Sequence, residues 1–216
     1  PRGFDKGNIT RLMMQWLGKL AMATNYAIRR NPSRFLYRDS LLGRFVDETE
    51  IAYFRKDWGK GVIWDVGASV GKYTTMLAKS NPNSTIYAFE PNLNSLYYLA
   101  NRTQNYSNVV IVPNALTPDG GVIMGSHDPD FNSKPTGPRV STIALRDAVA
   151  KFGAPTFFKM DIEGAEYDVL QGDLSPLHKS TLLVSWHPQF TGKPIPEVPG
   201  WKNTRLSDDI TLLEPL

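Results

Sequence analysis

One short stretch, GVIWDVGASVGKYT from Gly61 to Thr74, limits this chain more than any other. Val62, Ile63, Trp64 and Val66 predict a buried strand, and Val70, Thr74, Leu77 and Ala78 recur at helical spacing after it. Gly67 and Gly71 lie between the two. A glycine turn joining strand to helix brings bare backbone up to a ligand beside the positive helix end. The spacing is G-x-x-x-G, so the dinucleotide fingerprint G-x-G-x-x-G does not fit. The phosphate loop of ATPases does not fit either, because Lys72-Tyr73 follow the second glycine where lysine and then Ser or Thr are needed. An acid, Asp65, opens the turn and suits a cationic, zwitterionic ligand better than a pyrophosphate.

Two further segments extend the pattern. In STIYAFEPN, Ile86, Ala88 and Phe89 predict a second strand, with Glu90 at its C-terminal end before Pro91 and Asn92. An acid at that distance from a glycine loop is where a doubly wound fold grips a ribose diol. In TFFKMDIEGAEYDVL, a buried strand is followed by a turn at Glu163-Gly164 and a helix carrying Ala165, Val169 and Leu170. Lys159, Asp161, Glu163 and Glu166 crowd around that strand end, which is where ligand and catalytic groups belong in such sheets.

Together, Asp65-Val-Gly-Ala-x-x-Gly-x-Tyr-Thr, Ala88-Phe89-Glu90-Pro91 and Lys159-x-Asp161-x-Glu163-Gly-Ala-Glu166 resemble the FkbM family of S-adenosylmethionine-dependent methyltransferases. The resemblance covers roughly Val46 to His187, with the blocks in family order. It implies the class I methyltransferase fold, S-adenosyl-L-methionine as cofactor and methyl transfer, mostly to hydroxyl groups of small molecules and glycans. It places Asp65, Gly67, Ala68, Gly71, Tyr73, Thr74, Glu90, Pro91, Asn92 and Asp161 against the cofactor, joined by Asn114 and Ala115 after the third strand. Two features depart from the family. Ser185-Trp186 precede His187-Pro188 where an acid and an apolar residue are usual, and the C-terminus is short and proline-rich where a longer helix and a terminal hairpin are usual.

The order of elements predicts an α/β fold with a mostly parallel, doubly wound sheet and right-handed crossovers. Strands are expected near 62–66, 85–89, 109–112, 156–161 and 181–186, and helices near 70–80, 93–104, 142–151 and 164–171. Residues 61–216 form the expected cofactor-binding domain and 1–60 a helical extension. In that extension a first helix runs from Asn8 or Thr10 to about Arg30, and a second from Val46 to Lys56 turns Ile51, Ala52 and Phe54 inward. The connection from Pro113 to Val140 is rich in Gly and Pro, and a loop that long is usually functional or mobile. It is expected to cover the acceptor pocket together with the first helix. His127, Asp128 and Asp130 within it describe a turn better than a metal site, and no metal is expected.

Residues 1–60 hold twelve Lys/Arg against six Asp/Glu, a balance of +6, and the rest carry −3, which sums to the chain's +3. Arg29, Arg30, Arg34 and Arg38 suit either an anionic partner, nucleic acid included, or a solvated helix end. The absence of cysteine rules out disulfides, thiolate metal sites and a cysteine nucleophile, and points to the cytoplasm. No apolar run approaches a membrane span, and the proline at position 1 suggests a chain trimmed or taken from something longer.

Transfer of a methyl group to a hydroxyl is helped by a base that takes the acceptor's proton. His187, at the end of the strand Leu182-Leu183-Val184, has the right chemistry and is equally readable as a structural histidine. Asp161 is the other candidate, with Lys159 beside it, while Glu163, Glu166 and His187 are the expected acceptor-side residues. His178 reads as a surface residue. The leading expectation is an O-methyltransferase acting on a small metabolite, sugar or lipid-linked hydroxyl. A ribose 2′-O nucleic-acid methyltransferase and a non-catalytic cofactor-binding module are the alternatives.

Overall fold

A computed structural model of the chain describes residues 48–124 and 139–216. The first helix, the arginine cluster at 29–38 and the trio His127, Asp128 and Asp130 lie outside the described residues. The chain divides into two compact units, and the second, Phe45–Leu216, contains everything described here.

The elements in chain order are α1 (Glu48–Arg55), β1 (Val62–Val66), α2 (Lys72–Ser80), β2 (Thr85–Phe89), α3 (Leu93–Thr103), β3 (Val109–Val112), β4 (Ala115–Thr117), β5 (Val122–Met124), β6 (Arg139–Ala144), α4 (Leu145–Phe152), β7 (Phe157–Met160), α5 (Glu166–Leu170), β8 (Thr181–Ser185), α6 (Pro188–Thr191), β9 (Trp201–Arg205) and β10 (Ile210–Pro215). Seven strands form one sheet in the order β3-β2-β1-β7-β8-β10-β9. Pairing is parallel from β3 across to β8, and β10 runs antiparallel to both of its neighbours. Strand order reverses beside β1, so the carboxyl ends of β1, β2 and β7 open a crevice there.

Side-chain alternation sends successive residues to opposite faces of the sheet. Trp64, Phe89, Phe158, Met160, Leu182 and Val184 form one core, packed with Leu145, Ala148, Tyr167 and Leu170 of α4 and α5. Ile63, Ile86, Phe157 and Leu183 form the other, packed with Phe54 of α1 and Leu77 and Ala78 of α2. Phe157 and Phe158 are both wholly buried, one on each face, and truncating either to alanine is worth about 3–5 kcal/mol. The strand is buried along its whole length and apolar except at Lys159, as suits a strand covered on both sides.

Three expectations need correcting. The C-terminus carries the hairpin β9–β10, which completes the sheet. The connection after β3 is not all loop. Its described parts form a second sheet, β4-β6-β5, and Leu116 of β4 joins the core shared with α4 and α5. The helix expected from residue 142 begins at Leu145, because β6 runs through Ala144. Among the described residues no helix is long and apolar enough to cross a membrane.

Candidate active site

The turn after β1 has the geometry that its glycines demand. Gly67 and Gly71 have φ of 78° and 81°. A Cβ on Gly67 would collide with the carbonyl oxygen of Asp161, and one on Gly71 would come 2.7 Å from Leu99 Cδ1. Gly67 and Ala68 both donate their N–H groups to Phe89 O at 3.0 Å. Ser69 is left-handed at φ 49°, a conformation costly for a residue with a Cβ and concentrated at ligand clamps.

Glu90 ties the turn to the end of β2. Ser69 N–H donates to Glu90 Oε2 at 2.7 Å and Asn92 N–H to Oε1 at 2.8 Å. Burial raises the Glu90 pKa, against the pull of the Asn92 and Ser69 N–H groups and of Lys159. Asn92 in turn caps α3, its Oδ1 accepting from Asn94 N–H at 2.9 Å, and Pro91 is half-buried beside it.

Beneath the turn lies a charge cluster that reaches the rim through Lys159 Nζ, 3.7 Å from Asp161 Oδ2. Asp65 and Lys159 are register partners across β1 and β7, so their side chains share a face. Lys159 Nζ stands 3.1 Å from Asp65 Oδ1 and donates to Gly67 O at 2.8 Å. Thr74 Oγ1 donates to Asp65 Oδ2 at 2.6 Å. Asp65 and Thr74 have no exposed surface and Lys159 is 2 % exposed. These three residues, expected against ligand, lie under the loop and set its height. The Tyr73 ring packs on Phe54 at 4.2 Å between centroids, with Lys159 Nζ 5.6 Å from its own centre.

The rim is built by the turn after β7 and the end of β8. Glu166 is wholly buried and accepts from Ile162 N–H at 2.6 Å and Gly164 N–H at 2.8 Å. Its Oε1 also meets His187 Nδ1 at 3.0 Å. Glu166 was expected to touch the acceptor, but with no exposed surface it instead aims His187. In the neutral ring, an acceptor-only carboxylate there favours the proton on Nδ1 and leaves Nε2 as the basic nitrogen. Nε2 lies 3.5 Å from Asp161 Oδ1 and 3.7 Å from Glu163 Oε2. The ring stacks on Phe190 at 5.5 Å. Burial opposes a charge on His187, but the Glu166 hydrogen bond and the carboxylates of Asp161, Glu166 and Glu163 outweigh it and raise the pKa. Glu163, left-handed at φ 58°, has its own pKa raised by burial and held back by His187. Asp161, Glu163 and His187 each bring a ligand atom within 4.8 Å of the others, a grouping that could hold a metal ion.

One rim residue escaped the sequence. Glu50 of α1 is 9 % exposed and accepts from Ser185 Oγ at 3.3 Å, across 135 positions of chain. Its pKa is raised to about 7 by burial and then by Asp161, with Lys159 and Ser185 pulling the other way. The signal was its place four residues before Phe54, on the same helix face. After β3, the Asn114 side chain donates to Thr142 O at 3.4 Å, and Ala115 opens β4. His178 is exposed, as expected.

A parallel sheet closed by one reversed strand, with a glycine turn after β1 and an acid after β2, defines the class I methyltransferase fold. A fibrillarin pre-rRNA processing protein from Methanococcus jannaschii shares that fold at a TM-score of 0.50 and 10% identity, over 77% of this chain and 73% of that one. A SAM-dependent methyltransferase from Aquifex aeolicus superposes at a TM-score of 0.48 with 16% identity, over 85% of this chain and 96% of that one. An rRNA methylase from Streptococcus thermophilus gives 0.49 and 10% identity, over 78% and 95%. None of the curated proteins compared matches the chain. The Methyltransferase FkbM domain matches residues 65–198. The chain belongs to that family and is an S-adenosylmethionine-dependent methyltransferase.

The residues present fit that cofactor. Any side chain at Gly67 would clash with the Asp161 carbonyl, so the turn presents bare backbone. Glu90 meets one N–H with each carboxylate oxygen and keeps lone pairs for two hydroxyls. Asp161, Glu163 and Glu50 give the rim the negative charge that a sulfonium and an ammonium need.

Proposed function

We propose that this methyltransferase transfers its methyl group to a hydroxyl of a small metabolite, sugar or lipid-linked acceptor. Glu90 takes the ribose diol, and the turn from Gly67 to Gly71, with Ala68 between, carries the cofactor over its backbone. Lys159, Asp65 and Thr74 hold that turn from below. Asp161 and Glu163 border the acceptor side. S-adenosylmethionine supplies a methyl group activated on sulfonium sulfur. As the acceptor oxygen takes that group, its proton passes to His187 Nε2.

The observation that carries the reading is the His187 Nδ1–Glu166 Oε1 contact of 3.0 Å. A buried carboxylate fixes the tautomer and makes Nε2 a stronger proton acceptor. His187→Ala is expected to lower kcat by roughly 10²–10⁴-fold with cofactor affinity unchanged. The rate should fall as pH drops through the raised His187 pKa, since only the neutral ring accepts a proton. Near-normal turnover by the variant would remove His187 as base and leave Asp161.

A nucleic-acid acceptor is the second reading, favoured by the +6 balance of residues 1–60. The acids of the rim disfavour a phosphate backbone there. RNA binding that weakens steeply with salt would support it.

A further inference from the structure

Glu50 is 9 % exposed, and among the described residues it makes a single hydrogen bond, from Ser185 Oγ to Oε1. Its Oε2 has no hydrogen-bond partner and no cation lies within ion-pair distance of it among the described residues. Two cations act on it from beyond that distance: Lys159, held by Asp65 Oδ1 at 3.1 Å and Gly67 O at 2.8 Å, and Lys72. A buried carboxylate in that state is costly unless a positive partner arrives.

Its position says where that partner comes from. Phe54, one turn later on α1, is sealed among Leu77, Phe157 and Leu183, so Glu50 stands one turn nearer the carboxyl end of β8, where Ser185 meets it. Along the sheet the order runs Glu90 after β2, the glycine turn after β1, Asp161 after β7, then Ser185 with Glu50 at β8. A cofactor with its ribose on Glu90 therefore extends its methionyl end toward Asp161 and Glu50. That end carries two cations. The sulfonium has no N–H to donate, while the ammonium has three.

Resting on the cofactor assignment above, we infer that Glu50 is the ligand of the cofactor's α-ammonium group, received by its open carboxylate oxygen. α1 thereby contributes a specificity residue, selecting a donor that keeps its amino-acid end. The raised Glu50 pKa agrees, because burial and Asp161 push it up further than Lys159 and Ser185 pull it down.

Calorimetry on the full chain tests this with three probes: S-adenosylmethionine, S-adenosylhomocysteine and 5′-methylthioadenosine, which keeps the adenosine and sulfur but has no ammonium. Glu50→Gln is expected to weaken the first two by roughly 10–100-fold, the worth of a hydrogen bond between charged groups, and to leave the third within about twofold. Unliganded melting at pH 8 should show the variant no less stable than wild type. Equal loss for all three probes, or loss for none, would overturn the inference. If wild type binds none of them, the cofactor assignment itself has failed, and the inference falls with it.

Discussion

The floor of the cleft and its rim carry similar residues and do opposite things with them. In the floor, Lys159 and Thr74 meet Asp65 at 3.1 and 2.6 Å with almost no exposed surface, and the Gly67 carbonyl uses a further lysine proton. Charge is balanced within the protein. On the rim, the carboxylates of Glu166, Asp161 and Glu163 surround His187 and raise its pKa against burial, while Glu50 stands beside Ser185, and burial raises the pKa values of Glu50 and Glu163. The contrast separates a structural ion cluster from a functional one: the first is complete, and the second is short of positive charge that a cationic ligand brings.

Breaking the floor should cost the fold most. Lys159→Met leaves Asp65 charged and buried without its partner, and about 3–5 kcal/mol of stability should disappear, read from denaturant unfolding at neutral pH. A loss under 1 kcal/mol would show that the two regions do not differ in kind. The rim should respond in the opposite sense. Glu50 has a folded pKa of about 7 against an ordinary 4.5, so the stability it gives while protonated is full below 4.5 and is lost as pH rises through 7. Glu50→Gln, always neutral, should match wild type at pH 4.5 and exceed it by up to about 3 kcal/mol at pH 8 without ligand. A variant less stable than wild type at pH 8 would make Glu50 a structural acid.

The sequence made the βα steps after β1, β2 and β7 legible because each of these strands is a short, mostly apolar run closed by glycine or an acid. Val62–Val66 and Thr85–Phe89 fall where the pattern puts them. The hairpin was hidden for a physical reason: β9 reads WKNTR, an edge strand with little apolar content, and only its pairing with β10 makes it a strand. β4 and β5 span three residues each and have no periodicity to detect. Within the site, the residue types were visible and their levels were not. Asp65 looked like a ligand contact until the β1–β7 register set it opposite Lys159. Glu166 looked like an acceptor contact until its carboxylate proved to cap the turn below His187. On α1, apolar character suggested Ala52 facing inward, but Ala52 is exposed and Glu50 is buried with Phe54. The two residues that depart from the family pattern both have partners, Ser185 on Glu50 and Trp186 Nε1 on Thr211 Oγ1 at 3.1 Å.

The central claim is that the crevice at the carboxyl ends of β1, β2 and β7 binds S-adenosylmethionine through Glu90, and calorimetry on wild type and Glu90→Ala tests it most directly. The wild type should bind S-adenosylmethionine at one site. The variant should lose roughly 1.5–3 kcal/mol for each hydroxyl bond to the carboxylate, a fall in affinity of a hundredfold or more. Equal affinities for the two proteins, or binding of NAD in place of S-adenosylmethionine, would contradict the account.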